Sequence, residues 1–296
     1  MTTSPKASGT QKNAGHAGPA AISARSDIKL NDGRTIPQIG IGVWQVGDGE
    51  ASAVVSEAIL AGYRLIDTAA AYNNETGVGQ AINANGVRRA DLFVTTKLWN
   101  DRHDYDETLK AFDESLKRLQ IDYLDLYLIH WPAPKRGAYV HSWKAFKKLR
   151  DDGRVKSIGV SNFTQVHLQR LFDETGTVPA LNQIELHPQF QQKELRAFHA
   201  EHGIATESWS PLGQGKLLQN DAILDIAKKH MKTPAQIIIR WHLENGLVVI
   251  PKSSSSARIH ENIEVFNFHL DADDLAAIAN LDRKDGRIGP DPDVFS

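Results

Sequence analysis

The sequence contains no cysteine, which excludes disulfide bonds and thiolate ligands for metals. No stretch approaches the roughly 18 consecutive apolar residues that a membrane-spanning helix needs. Basic and acidic residues nearly balance, 34 against 36, so the chain lacks the positive charge typical of proteins that bind nucleic acid or anionic membranes. No Gly-x-Gly-x-x-Gly motif joins a predicted strand to a predicted helix, which leaves a doubly wound dinucleotide-binding fold unsupported. We therefore expect a soluble, cytoplasmic protein that acts on a small molecule and holds no metal.

The first 26 residues are small and polar, and they lack the apolar segment of a secretory signal. They also lack acidic residues and contain three basic ones, which leaves a transit peptide as an alternative. The composition favours a disordered N-terminal extension over residues 1–26. Residues 27–296 have the length of one α/β barrel domain, and no change in composition marks a second domain.

After a predicted hairpin at residues 28–38, short β-branched segments alternate with longer helical patterns. Strict alternation is typical of parallel βαβ units, and eight units favour an α/β fold closed into a (β/α)8 TIM barrel, with the N-terminal hairpin capping its bottom. The predicted strands lie at 40–43, 65–67, 92–97, 124–129, 157–161, 180–185, 205–209 and 247–250. The predicted helices lie at 51–61, 75–84, 105–119, 140–152, 164–173, 192–202, 221–229 with 234–243, and 272–281.

Polar residues follow several predicted strands, at the barrel end where catalytic groups lie in this type of fold. The second strand ends at Asp67, with Tyr72 five residues later, while Lys97 ends the third strand and His130 follows the fourth. A free tyrosine is a weak acid, but a nearby ammonium stabilises the phenolate and lowers the pKa of the phenol. Asp67 would keep Lys97 charged. His130 could then polarise a carbonyl oxygen that Tyr72 protonates.

Each of these four residues alone is compatible with a structural or surface role. Their occurrence at successive strand ends favours one shared site in an enzyme that protonates a carbonyl oxygen. Lys97 also leaves a Schiff-base lyase as an alternative, because a lysine at a barrel strand end can act as a nucleophile. His199 and His202 lie three apart on a predicted helix without a third candidate ligand, and we interpret them as surface residues.

Eight segments carry a resemblance to a known family: GIGVWQ at 40–45, IDTAAAYNNE at 66–75, TTKLW at 95–99, LIHWP at 128–132, GVSNF at 159–163, NQIELHP at 182–188, SPLGQGK at 210–216 and IPKSSSSARIHEN at 250–262. They occur in order along nearly the whole chain, which resembles the aldo-keto reductase family. Members of that family are TIM barrels that reduce carbonyl groups with NADPH. The C-terminal GPDPDVF at 289–295 is similar to the bacterial branch of 2,5-diketo-D-gluconate reductases.

The resemblance implies that Asp67, Tyr72, Lys97 and His130 are catalytic and that NADPH/NADP+ is the cofactor. The implied cofactor-binding residues are Ser161, Asn162 and Gln183 at the nicotinamide carboxamide, Trp209 on the nicotinamide ring, Ser210, Leu212 and Gln214 near the pyrophosphate, Lys252, Ser253 and Arg258 at the 2′-phosphate, and Glu261 and Asn262 near the adenosine. The implied substrate pocket is lined by Trp44, Trp99 and Trp131 together with His130.

The predicted activity is NADPH-dependent reduction of aldehydes and ketones to alcohols, with hydride transfer from nicotinamide C4 and a proton from Tyr72. Dicarbonyl compounds and keto sugars are candidate substrates, and the short C-terminal segment favours a small, polar or open pocket. A non-catalytic NADPH-binding regulatory module is the alternative function. We expect a monomer, without nucleic-acid or membrane partners.

Overall fold

The chain begins with a small hairpin that packs against the barrel. The computed structural model describes residues 26–296, so the extension predicted for residues 1–26 lies almost entirely outside the described residues. Strands β1 (Asp27–Lys29) and β2 (Thr35–Pro37) pair antiparallel around a turn in which Gly33 has φ 88°. Leu30 and Ile36 are buried in one apolar cluster with residues at the starts of barrel strands, such as Leu65 and Leu181. The hairpin therefore caps the barrel bottom, as predicted.

Eight parallel strands follow in sequence order around one sheet. They are β3 (Gly40–Gly42), β4 (Leu65–Asp67), β5 (Phe93–Leu98), β6 (Leu124–Ile129), β7 (Val155–Ser161), β8 (Leu181–Glu185), β9 (Ala205–Trp209) and β10 (Val248–Val249). Isolated parallel bridges Ile39–Val249 and Gly42–Lys252 join the two edge strands. The predicted TIM barrel is confirmed, and its strand boundaries differ from the predicted ones by no more than two residues.

Ten α-helices lie in the described part of the chain and surround the sheet. They are α1 (Asp48–Ala61), α2 (Glu75–Ala84), α3 (Tyr105–Leu119), α4 (Tyr139–Asp151), α5 (Gln165–Thr175), α6 (Lys193–Glu201), α7 (Asp221–His230), α8 (Pro234–Glu244), α9 (Ser256–Ile263) and α10 (Ala272–Ala279). The Thr-Pro pair starts α8 as predicted, since the Thr233 hydroxyl accepts from the Gln236 N–H and the Gln236 side chain accepts from the Thr233 N–H. None of the described helices is long and apolar enough to cross a membrane.

Helix α9 was not predicted. A run of serines at 253–256 leads into it, and serine favours caps and turns over helix interiors, so the local pattern gives a weak helical signal. The helix is held by tertiary contacts instead, because Ile259 is buried and its carbonyl accepts a hydrogen bond from the Tyr63 hydroxyl at 3.1 Å. Consequently α9, and not α10, is the helix that follows the last barrel strand.

The prediction that His199 is a surface residue is also wrong. Its side chain is fully buried, with one ring nitrogen 2.9 Å from the Asn182 amide and the other 2.8 Å from the Thr206 hydroxyl. Both partners come from neighbouring barrel strands, which the helical pattern around His199 does not reveal. Burial lowers the pKa of His199 to about 3, so the ring is neutral and structural.

Candidate active site

Three of the predicted catalytic side chains meet at the carboxyl ends of β4 and β5. The Lys97 ammonium donates to Asp67 Oδ1 at 2.6 Å, to the Thr68 carbonyl at 2.8 Å and to the Tyr72 hydroxyl at 3.4 Å. These three acceptors match the three N–H groups of an ammonium. The second Asp67 oxygen accepts from the Gln183 amide at 2.8 Å. Asp67 is therefore held by donors from two other strands, β5 and β8, and Lys97 by acceptors from β4 and the segment that follows it.

Burial and the neighbouring opposite charges shift the pKa values of Lys97 and Tyr72 in opposite directions. Burial lowers the pKa of Lys97, but Asp67 and Tyr72 raise it, and the net pKa lies above the usual value, so the side chain stays an ammonium. Burial raises the pKa of Tyr72 more than the Lys97 charge lowers it. The expected net lowering for Tyr72 is therefore wrong in direction for the isolated protein, although Lys97 contributes in the expected sense. Tyr72 remains a protonated phenol at neutral pH.

His130 faces the phenol across the same cavity. Its ring lies 5.6 Å from the Tyr72 ring and 5.1 Å from the Trp99 ring, edge-on to both. Burial, with a smaller effect of Lys97, lowers the pKa of His130 well below its usual value, so the ring is neutral. A neutral imidazole carries one N–H, which it can donate to a carbonyl oxygen without giving up a proton.

The cavity above these residues has a volume of about 970 Å³ and aromatic walls. Trp44, Trp99 and Trp131, the tryptophans expected at the substrate pocket, line it. The C-terminal segment packs against this wall, because the Phe295 ring lies 4.6 Å from the Trp131 ring and 6.4 Å from the Trp99 ring. Sequence reasoning assigned no contact to this aromatic residue, since nothing local in the sequence places the tail at the barrel mouth.

The tail is held by an acid at the end of β8. Glu185 is buried, and its two carboxylate oxygens accept from the backbone N–H groups of Ile288 and Gly289 at 2.6 and 2.8 Å. A side chain at Gly289 would meet the Trp209 ring at 2.5 Å, so glycine is required where the tail passes over that ring. The sequence shows Glu185 as a polar strand end but does not reveal its partner.

The residues predicted for the nicotinamide also line the cavity and adjoin the catalytic residues. Asn162 donates to the His130 carbonyl at 3.0 Å, and its amide oxygen accepts from the Trp209 indole at 2.8 Å. Ser161 donates to the Gln183 carbonyl at 2.8 Å. Asn162 has φ 63°, a left-handed conformation that asparagine tolerates better than most residues. These side chains form one hydrogen-bonded edge beside the catalytic cluster.

A second cavity of about 700 Å³ adjoins the first and shares Trp44, Ser210, Gln214 and Lys252 with it. It contains the remaining residues predicted for the cofactor, which are Leu212, Ser253, Arg258, Glu261 and Asn262. Every predicted site residue thus lines one of the two cavities except Lys97, which lies beneath the cavity floor.

Sequence reasoning missed one acid in the barrel interior. Glu207 lies on β9, on the same strand face as Trp209, and its side chain is fully buried. Its neighbours on the adjacent strands are Gln183 and Val248. The alternation of side chains along the strand ATESW is a usable signal, since it puts Glu207 and Trp209 on one face of the strand. The sequence does not show whether that face points into the barrel or away from it.

Comparison with known proteins identifies a large set of relatives. The model of the family described as "Aldo/keto reductase family" matches residues 38–283. An aldo-keto reductase of Mycolicibacterium smegmatis is 56% identical over 269 residues, covering 91% of this chain and 98% of the relative. Methylglyoxal reductase DkgA of Escherichia coli is 55% identical over 270 residues, covering 90% of this chain and 97% of the relative.

Among solved structures, a mutant of Gox0644 in complex with NADPH superimposes with a TM-score of 0.90. It is 54% identical in sequence, and the match covers 93% of this chain and 100% of the other. The fold, the order of the motifs and the length of the match therefore agree between sequence and structure comparisons.

Proposed function

The chain belongs to the aldo/keto reductase family, whose activity is carbonyl reduction, and from this membership we propose that it reduces aldehydes and ketones with NADPH, using Tyr72 as the proton donor. The observation that carries the proposal is the Asp67–Lys97–Tyr72 cluster, in which Asp67 and Lys97 are fully buried and the half-buried Tyr72 lines the cavity.

Tyr72 has the protonation state that a donor needs. Its raised pKa keeps the phenol protonated over the working pH range. Reduction of a carbonyl produces an alkoxide, which is a much stronger base than a phenolate, so proton transfer from Tyr72 is downhill. The Lys97 ammonium at 3.4 Å then stabilises the phenolate left behind. Asp67 keeps Lys97 charged and fixes its position.

His130 would orient the substrate. The neutral ring can donate its N–H to the carbonyl oxygen and so hold that oxygen near the Tyr72 hydroxyl. A neutral donor polarises the carbonyl without competing with Tyr72 as the acid. The tryptophans around the cavity exclude water from one side of the substrate.

The residues along the two cavities fit a dinucleotide. When bound, NADPH supplies a hydride from nicotinamide C4. Ser161, Asn162 and Gln183 would hold the carboxamide, and Trp209 would stack on the ring. The backbone at Ser210 and Gln214 is left-handed, with φ 48° and 54°, in a loop whose N–H groups can face an anion.

The far end of the groove fits a phosphate. Lys252 and Arg258 are exposed, and within residues 26–296 no carboxylate pairs with either cation. Arg258 lies in the first turn of α9, where the positive end of the helix dipole also favours an anion. Two unpaired cations, one of them in the first turn of a helix, suit the 2′-phosphate, which is the group that separates NADPH from NADH.

The relatives narrow the substrate class. The relative DkgA is named for the reduction of methylglyoxal, a small dicarbonyl. Trp131, which packs against Phe295, gives the cavity an aromatic wall, while Tyr72 and His130 add polar groups to its lining. We expect small dicarbonyls to be reduced faster than bulky ketones.

The first test follows the near-ultraviolet absorbance of NADPH with methylglyoxal, phenylglyoxal, benzaldehyde and a keto sugar acid, with NADH in parallel. Tyr72→Phe keeps the ring and removes the proton, and it should lower kcat by about 100-fold to 10,000-fold. Tyr105→Phe, at an exposed tyrosine in α3, is the matched control and should keep wild-type turnover. A Tyr72→Phe enzyme as active as wild type would contradict the assignment of the donor. Tight NADPH binding without oxidation by any substrate would favour the regulatory module instead.

A further inference from the structure

Asn74 is a fully buried asparagine at the start of α2, and its side chain does not cap the helix. An asparagine in this position usually accepts a hydrogen bond from a backbone N–H group of the first helical turn. Here its Oδ1 accepts from the Thr68 hydroxyl at 2.7 Å, and its Nδ2 donates to the Val43 and Val46 carbonyls, both at 2.9 Å. Two carbonyls can face only the nitrogen of the amide, because that atom carries two N–H groups. The side chain therefore joins segments outside its own helix.

The two carbonyls flank a turn that carries Trp44. The Val46 N–H donates to the Val43 carbonyl at 3.1 Å, which closes the turn around Trp44 and Gln45. Gln45 has φ 60°, a left-handed conformation that costs free energy in a residue other than glycine. Such a conformation persists only where the surrounding structure holds it, and the Asn74 amide holds both sides of this turn.

Trp44 stands where the two cavities join. It lines the cavity above Tyr72 and also the groove that fits the far part of the dinucleotide. The residue is 45% exposed, so packing holds its indole only in part and the turn beneath it fixes its position. A shift of the turn would move one wall of both cavities at once.

The same asparagine is joined to the catalytic cluster. The Thr68 hydroxyl donates to Asn74, and the Thr68 carbonyl accepts from the Lys97 ammonium at 2.8 Å. Asn74 also follows Tyr72 by two residues in the chain. Hydrogen bonds therefore connect Lys97, through Thr68 and Asn74, to the turn that carries Trp44.

We propose that Asn74 is a positioning residue that holds Trp44 at a fixed place relative to the Tyr72–Lys97 pair, so that binding of the carbonyl substrate and of NADPH both depend on it. The inference rests on the proposed function in its choice of ligands. Asn74 lines neither cavity, so it acts through Trp44 and not by contact with a ligand.

The first measurement needs neither cofactor nor substrate. Acrylamide quenching of tryptophan fluorescence is compared in wild type, Asn74→Ala, Trp44→Ala and the double variant, and the difference that Trp44→Ala makes in each background is the contribution of Trp44. Asn74→Ala should raise the quenching of Trp44, by no more than about twofold because the residue is already 45% exposed.

The second measurement uses the same four proteins in steady-state reduction of methylglyoxal and in calorimetric titration with NADPH. Asn74→Ala should raise KM for methylglyoxal and Kd for NADPH by about tenfold each, while kcat stays within about threefold of wild type. In the double variant, Asn74→Ala should add nothing to the loss that Trp44→Ala causes alone, because the two residues act as one unit.

Asn85→Ala is the matched control. The Asn85 amide also donates to two backbone carbonyls, of Ala81 and Ile82 at 2.7 and 2.8 Å, but it lies at the other end of α2. Its loss removes the same kind of hydrogen bonds, so Asn85→Ala should keep wild-type values of KM, Kd and Trp44 quenching.

A merely structural asparagine gives a different result. Asn74→Ala would then lower the unfolding midpoint, leave the quenching of Trp44 unchanged and add its losses in full to those of Trp44→Ala, and that outcome would overturn the inference. If Asn74→Ala does not fold, Asn74→Asp keeps the shape and the acceptor for Thr68, and the same criteria apply to it. If wild type oxidises NADPH with no carbonyl compound, the proposed function fails, and the quenching comparison still decides whether Asn74 positions Trp44.

Discussion

The buried ion pair between Lys97 and Asp67 allows a test that separates catalysis from stability. The ammonium nitrogen and the carboxylate oxygen are 2.6 Å apart, and both side chains are almost completely buried. Two unit charges at this distance attract by about 6 kcal/mol at an effective dielectric constant of about 20. Removing both charges from water costs several kcal/mol per ion, which offsets much of that attraction.

Replacing one partner should therefore cost more than replacing both. Lys97→Met leaves Asp67 buried with only the Gln183 amide as a donor, and we expect a loss of about 3–5 kcal/mol in the free energy of unfolding. Adding Asp67→Asn removes the uncompensated charge, and the double variant should regain about 1–3 kcal/mol relative to the sum of the single variants. The assay is urea unfolding of the wild type, both single variants and the double variant.

The pH dependence of the free energy of unfolding tests whether the uncompensated Asp67 charge causes the loss in Lys97→Met. Burial raises the pKa of Asp67, and without Lys97 nothing cationic opposes that shift. A buried acid whose pKa is raised by folding contributes most to the free energy of unfolding at low pH, and that contribution is lost as the pH rises. Lys97→Met should therefore be closer to wild type at pH 5 than at pH 8. Additive single-variant losses, or a loss independent of pH, would refute an uncompensated charge as the cause. We expect the double variant to be folded and inactive.

Three further predictions concern packing, capping and protonation. A methyl group at Gly79 would meet the Leu119 carbonyl oxygen at 2.3 Å, so Gly79→Ala should lower the free energy of unfolding by about 1–3 kcal/mol even though alanine has the higher helix propensity. The control is Gly49→Ala in α1, where the methyl group would enter open space; it should stabilise the protein by up to about 1 kcal/mol in the same urea experiment. Thr233→Ala removes the cap of α8 and should cost about 1 kcal/mol by thermal unfolding, unlike Thr233→Ser. Because the pKa of His130 is far below its usual value, kcat/KM for reduction should lack an acidic limb near pH 6.5, and such a limb that vanishes in His130→Gln would contradict a neutral ring.

The barrel was predictable because its signals are local. Apolar strand segments separated by helical patterns repeat eight times, and Asp67 and His130 stand at or just beyond strand ends whatever the packing is. The helix missed at Ser256–Ile263 marks the limit of that reasoning. The serines that lead into it give little helix propensity, and the contact between Tyr63 and Ile259 that secures it joins residues 196 positions apart.

The same distinction applies to the site. The sequence indicated which residues gather at the barrel mouth, while their roles in catalysis and cofactor binding, like the single-domain boundary at residue 27, stay predictions. It did not indicate that Phe295 packs against Trp131 or that the Glu207 side chain is fully buried. It also gave the wrong net direction for the pKa of Tyr72, because the nearby lysine is visible as a motif but the depth of burial is not.

Residue order thus determined the fold class, the family and the set of polar strand ends, since alternation, turn residues and motif spacing are properties of neighbouring positions. The tertiary structure alone decided which of those side chains are buried from solvent, which form hydrogen bonds or ion pairs, and which charges act on one another. Desolvation and Coulomb interactions depend on distances that barrel closure creates between residues far apart in the chain, such as Asp67 and Gln183, which are 116 positions apart and 2.8 Å from donor to acceptor.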